Sequence, residues 1–484
     1  MMKRKQPSIG ALCYILTVCG LLALPTITMP FWTSKTAASS ENRVLTALPS
    51  IRNEDGSINY QYANQLGNWY GDHFGLRSAF VTAYGAITKH LLGTSAEQDV
   101  ICGKENWLYY TETLDDTIGN ASFSETDLRH LITTLSLMSE YAAAHDTKML
   151  FAVAPNKASI YPQYLPSRYL SRESQNNLDL LYSVLNGTNV TVCDLRSALT
   201  KQAAADPALL YHKLDTHWNG YGAMIGYTAL MQAAGLDDYA FSQKPCSAVQ
   251  NFDGDLWQML SPSVMQKDWN IVYDIPQTYS YLGRYRDPDD LMINTACQQG
   301  EGSLLMFRDS FGRALIPLLS QRFAACTYTR DSHVPLYLLE QNQTDLVIYE
   351  LVERNLNHLL EYTPHMPAPQ VEPIETQAVS DPKPLRLESR TDGNDVHLYG
   401  YYDPAFSDCN AIYCSVTDMQ NGTQKYYQAF PCFEAELLGM ESCKTNGFSM
   451  YLPAADLPKE AKITVIAQQT EQAYDLGSQI IALS

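Results

Sequence analysis

SLLMFRDSFGRALIPLL, residues 303–319, carries the decision about fold. Ser303 to Phe307 form a short, nearly continuous apolar run, the composition of a strand buried on both faces. Arg308, Asp309 and Ser310 make a polar turn. Phe311 onward resumes an apolar pattern with Gly312 inside it, which predicts a helix. Strand, turn and helix in that order place Ser310 at the C-terminal edge of a sheet, where open α/β sheets hold their sites. Backbone N–H groups at the following helix start can hold an oxyanion. A capping role for Ser310 or Asp309 accounts for the same residues, and the stretch is not G-x-S-x-G.

The neighbouring sequence repeats this alternation. Ser124 and Asp127 have capping-box spacing before a helix reaching about His145. KMLFAVAP is an apolar strand, NNLDLLYSVLNG a helix, VTVCDL a strand, and another helix follows Tyr221. AACTYT and DLVIYELV are further strands. Short apolar strands separated by helices predict a three-layer α/β domain on a mostly parallel sheet, over residues 34–362, with a loop-rich insertion at about 235–300. DVICGKENWLYYT reads as a hairpin. Residues 363–384, rich in Pro, Glu and Thr, read as a linker. About seven alternating runs over 385–484, with QNGTQ as a hairpin turn, predict a β-sandwich.

YHKLDTHWNGYGA, residues 211–223, is the second informative stretch. On an extended segment Asp215 and His217 point the same way, so the carboxylate can orient an imidazole. Alone, D-x-H fits a structural pair equally well. His212 would complete a His–Asp–His metal set, but no second ligand cluster accompanies it, so no metal or cofactor is expected. A third strand end, FAVAPNKASIYPQYLP, offers Asn156 as an oxyanion donor and Lys157 as an anion partner, or simply good turn chemistry.

The formal charge of −19 over 484 residues argues against nucleic acid, which needs a clustered Lys/Arg surplus. Eleven cysteines include Cys409, Cys414, Cys432 and Cys443 near the C-terminus, and there is no C-x-x-C. Lys3, Arg4 and Lys5 precede an apolar run from Ile9 to about Pro25. That pattern predicts a membrane anchor or signal over residues 1–33, with SKTAASSEN (34–42) as the region where cleavage would fall. The expected location is the cell membrane, single-pass with the body extracytoplasmic, or secreted after cleavage.

DTHW, RDSF, APNK with IYPQYLP, ENRVLTALP and GKENWLYY together resemble the SGNH hydrolase-like family of alginate O-acetyltransferases and Gram-positive DHHW proteins. The likeness runs over about residues 40–360 and implies a circularly permuted motif order, with the serine after the Asp-x-His-Trp. It implies a catalytic Ser310, His217 and Asp215, with Asn156, Lys157, Arg308 and Trp218 at the oxyanion or substrate-binding positions. Arg308 stands where the alginate enzymes have a small residue, and DTHW lacks the second histidine of DHHW. The implied activity is acetyl transfer to a cell-surface or secreted polysaccharide through an acyl-enzyme, with a membrane partner delivering the acyl group. The C-terminal sandwich resembles, in placement, a carbohydrate-binding module. A carbohydrate acetylesterase and a non-catalytic glycan-binding or assembly protein are the competing classes.

Overall fold

The computed structural model describes residues 9–31, 45–53, 55–92, 94–119, 123–169, 175–341, 343–379, 383, 385–442 and 444–482. Lys3, Arg4, Lys5, the SKTAASSEN stretch and Cys443 lie outside them.

A seven-stranded sheet organises the first part of the chain. Its strands are Lys148–Ala154 (β1), Val192–Cys193 (β2), Ser280–Leu282 (β3), Met292–Ala296 (β4), Ser303–Phe307 (β5), Ala325–Thr329 (β6) and Leu346–Val352 (β7), in the order β2-β1-β7-β5-β6-β4-β3. The five from β2 to β6 in that order pair parallel, while β4 and β3 join antiparallel at one edge. The insertion expected to be loop-rich, at about 235–300, instead forms four strands, of which Ser280–Leu282 and Met292–Ala296 belong to the sheet. Side chains of β1 alternate between two cores. Leu150, Ala152 and Ala154 pack with Trp218, Met224 and Leu319 on one face. Phe151 and Val153 pack with Leu131, Leu135 and Leu181 on the other. A strand covered on both faces has no polar side to present, hence the near-continuous apolar runs.

The helix Glu125–Ala144 opens with the expected capping box of Ser124 and Asp127. The hairpin pairs Val100–Cys102 with Leu108–Tyr110. The helix expected from Phe311 is divided into a 3-10 turn, Phe311–Ala314, and a helix, Ile316–Arg322. Pro317 explains the break, because proline is tolerated in a first turn but not in a helix interior.

Beyond residue 385 seven strands form, from Arg386–Asp392 to Gln472–Ala482. They build a three-stranded and a six-stranded sheet with one shared core that includes Leu398, Met450, Cys414 and Val465. The six-stranded sheet also takes Gln370–Val371 and Thr376–Ala378 from the stretch expected to be a linker. Backbone pairing to Tyr427 and Ala473 supplies there the order that composition alone does not. Gly422, with φ +75°, makes the turn of the QNGTQ hairpin. Cys409 and Cys414 carry free thiols.

Residues Ile9–Thr28 form one uncharged helix with Pro25 inside it. Among the described residues no helix is long and apolar enough to cross a membrane, so the expected transmembrane anchor is not supported. Before Pro25 the helix rises only about 24 Å at ~1.5 Å per residue, short of a hydrocarbon core of about 30 Å.

Candidate active site

The stretch 211–218 is a closed loop rather than an open strand. Tyr211 bridges Trp218 antiparallel, and the His212 amide donates to the His217 carbonyl at 3.2 Å. Asn219 then caps the helix Gly220–Ala234 by accepting from the Tyr221 and Gly222 amides. Lys157 fills the inside of the loop. Its Nζ donates to the carbonyls of His212 (3.1 Å), Lys213 (3.3 Å) and Asp215 (2.5 Å), and it lies 5.7 Å and 5.2 Å from the Trp107 and Tyr109 rings. The three carbonyls and two aromatic faces offset part of the cost of burying an ammonium. Burial pulls its pKa down to about 8, against the pull of Asp215, Asp255 and Asp268.

Ser310 sits in the turn after β5. Asp309 holds that turn: its Oδ1 accepts from the Phe311 amide at 2.8 Å, and its Oδ2 accepts from the Val352 amide at 2.6 Å, tying it to the end of β7. A Cβ on Gly312 would meet the Arg308 Cβ at 2.7 Å, so the chain can fold back onto the strand only with glycine there. Behind the turn Glu350 is fully buried, and burial, reinforced by the Asp309 charge, raises its pKa well above the ordinary carboxyl value.

The two loops meet. His217 Nε2 is 2.8 Å from Ser310 Oγ, and His217 Nδ1 is 2.7 Å from Asp215 Oδ1. With Nδ1–H donated to the carboxylate, Nε2 is the lone-pair nitrogen facing the hydroxyl, the tautomer a general base needs. Asp215 Oδ1 also accepts from the His217 amide at 2.8 Å, and its Oδ2 accepts from the Asp255 amide at 2.8 Å. Burial acts to raise the Asp215 carboxyl. The charges of His217 and His212 and these hydrogen bonds overcome it and hold the group well below the usual carboxylate range.

Asp255, which lies in DGDLW, was not legible as a site residue. Its Oδ2 accepts from Thr216 Oγ1 at 2.6 Å and lies 3.7 Å from His217 Nδ1. Its pKa is raised, first by burial and then by the Asp215 charge. The ligand atoms of Asp215, His217 and Asp255 all fall within 4.8 Å of one another. A metal ion held there would have to take the His217 nitrogen from Asp215, so the relay and a metal are exclusive uses of one atom.

Ser310, His217, Asp215 and Asp255 open on a cavity of about 770 Å³, also lined by Tyr110 and Arg354. The Arg354 guanidinium lies 5.6 Å from the Tyr110 ring and 5.7 Å from the Phe311 ring. The other expected site residues are elsewhere. Asn156 is buried, with its amide N–H bonded to Glu353 Oε2 (2.8 Å) and its side-chain Nδ2 to Asp116 Oδ2 (3.4 Å), and it does not line this cavity. Lys157 is consumed by the loop carbonyls. The Arg308 guanidinium donates to the carbonyls of Asp309 and Pro288, and Arg308 does not line this cavity. Trp218 is buried, donating from Nε1 to the Phe311 carbonyl at 3.1 Å, so it braces the serine turn from behind instead of walling the cavity. His212 stacks on Phe252 at 3.8 Å and takes no part in the relay.

A serine, an imidazole and a carboxylate converge here at the C-terminal edge of a sheet covered on both faces, in an α/β protein. Residues 100–286 match the family model of the SGNH hydrolase-like domain, acetyltransferase AlgX, so the resemblance to that family is shown across the segment holding Asp215, His217 and Asp255. No curated protein matches the chain. Among solved structures, a DHHW family protein from Eubacterium siraeum is similar at 16% identity and TM-score 0.41, over 55% of this chain and 98% of that one. Bacillus cereus PatB1 is similar at 17% identity and TM-score 0.42, over 53% and 96%. Pseudomonas aeruginosa AlgX is similar at 11% identity and TM-score 0.36, over 80% and 90%.

Proposed function

We propose that this protein is a serine-dependent O-acetyltransferase that modifies a polysaccharide outside the cytoplasm. The observation that carries the reading is the 2.8 Å approach of His217 Nε2 to Ser310 Oγ, with Asp215 behind the imidazole. His217 takes the Ser310 proton as Oγ bonds to the acetyl carbon, and then returns it to the leaving group. A sugar hydroxyl next gives its proton to His217 and attacks the acyl carbon; the bond to Oγ breaks as His217 passes that proton to Ser310, which releases the acetylated sugar. Asp215 orients the ring and offsets the charge of the imidazolium. The Phe311 amide already serves Asp309, which leaves the Ser310 amide and cavity side chains as oxyanion donors.

An open cavity of about 770 Å³ supports an acceptor the size of sugar residues. The basic-then-apolar N-terminus supports export of the body, and acetyl transfer outside the cytoplasm would call for an acyl-donating membrane partner. The position of the C-terminal sandwich after the α/β domain supports a glycan-holding role for it.

The test is acetyl-ester turnover by the purified protein beside Ser310→Ala, with intact mass measured under slow turnover. Loss of turnover in the variant, with one acetyl group on the wild type, supports the reading. Equal turnover by both would sink it. Hydrolysis without transfer to a glycan would make the protein an esterase.

A further inference from the structure

Asp215 alone is enough to orient an imidazole, yet a second carboxylate stands beside the same edge of the His217 ring. We propose that Asp255, acting with Thr216, is a positioning residue for His217. The inference rests on the relay proposed above.

The bonding is reciprocal. The Asp255 amide donates to Asp215 Oδ2 at 2.8 Å, while Asp215 Oδ1 holds the imidazole. In return Asp255 Oδ1 accepts from the Thr216 amide at 2.8 Å, and Oδ2 accepts from the Thr216 hydroxyl at 2.6 Å. That hydroxyl lies 3.0 Å from His217 Nδ1. Asp255 therefore clamps both the carboxylate behind the ring and the backbone of the residue before it. At 3.7 Å from Nδ1 it also adds a charge that favours the imidazolium formed during proton transfer. The two acids differ in setting. The Asp215 side chain is 4% exposed and that of Asp255 is 29% exposed, so of the two carboxylates lining the cavity the second is the more open to it. The charged groups acting on it are Asp215, His217 and Lys157.

Asp255→Asn should lower kcat for acetyl-ester turnover about tenfold, the scale for a residue that orients a reacting one, with KM little changed. The acid limb of its pH–rate profile should move to lower pH, because removing a nearby negative charge disfavours the protonated ring. Thr216→Val should lower kcat in the same direction while leaving the Asp255 charge and so the acid limb closer to wild type, and Thr216→Ser should behave as wild type. Should Asp255→Asn misfold, the threonine pair carries the test. The His217 ring titration, read by NMR in wild type and variants without substrate, reports the same coupling. It therefore separates failure of this inference from failure of the acyl-transfer reading. A change confined to KM, or a folded Asp255→Asn with unmoved kcat and unmoved ring titration, overturns the proposal.

Discussion

His217 Nε2 lies 2.8 Å from Ser310 Oγ although 93 residues of chain separate them. The two arrive from different directions. Ser310 is carried by the turn after β5, clamped to β7 through Asp309. His217 is carried by a loop wrapped around Lys157. Trp218 joins them, since its indole donates to the Phe311 carbonyl one residue past the serine. Ser310→Ala and His217→Ala should each lower acyl-ester kcat by about a thousandfold or more, and the double variant should be scarcely worse. Circular dichroism should show both folded. Independent, multiplying losses would contradict a shared proton-transfer unit.

Lys157 is expected to act on the site through structure. Lys157→Met strips three loop carbonyls of their donor and should cost about 3 kcal/mol in urea unfolding, with activity lost in parallel. A variant that kept full stability while losing activity would return Lys157 to a substrate-contacting role.

The helix after the loop starts in contact with the hairpin strand Lys267–Tyr273. A Cβ at Gly220 would lie 1.9 Å from the Ile271 carbonyl oxygen, whereas one at Gly67, in the helix Tyr62–His73, meets nothing within 4 Å. Gly220→Ala should lower stability by about 1–3 kcal/mol, the cost of overpacking. Gly67→Ala should be neutral or stabilising by up to about 1 kcal/mol. Thermal melts of the pair would show whether the difference has the stated sign.

Asp116 is pushed up to about 7, first by burial and then by the Glu353 charge. A carboxyl raised above its unfolded value contributes stability that is complete below that value, near 3.8, and lost as pH climbs through about 7. Asp116→Asn should therefore stabilise the fold more at pH 8 than at pH 5, by roughly 2 kcal/mol in urea unfolding at the two pH values. An equal gain at both values would refute the assignment.

His397 shows the opposite sign. It is fully buried in the sandwich, stacked on Tyr451 at 4.1 Å, and burial pulls it down to about 3. The unfolded chain binds the proton first, so stability present above about 6.5 is lost as pH falls toward 3. His130, lowered to about 4 by burial, adds to the same slope. Replacing His397 with Phe should flatten the fall in Tm between pH 6.5 and 4, as scanning calorimetry would read it.

Reading residues in order was enough for much of this molecule. The apolar runs of β1, β5 and β7 are continuous because both their faces are covered, and such runs are visible without coordinates. Asp215 and His217 stand two residues apart, and Ser310 follows a strand, so each carries a local signal of its place. What neighbouring residues could not specify was the direction in which strand-end side chains turn. Asn156 and Lys157 leave β1 at the expected edge, but Glu353, Asp116 and the loop carbonyls draw them inward. Arg308 is drawn to the Pro288 carbonyl in the same way. Asp255 reaches His217 because the chain between them returns to the loop, where Gly254 lies so close to the Leu214 carbonyl that a Cβ would sit 2.3 Å from it. Strand, helix and turn preferences act over a few residues and are written into the sequence. Hydrogen bonding of buried polar groups is settled among partners dozens to hundreds of residues apart, and only the tertiary structure brings those partners together.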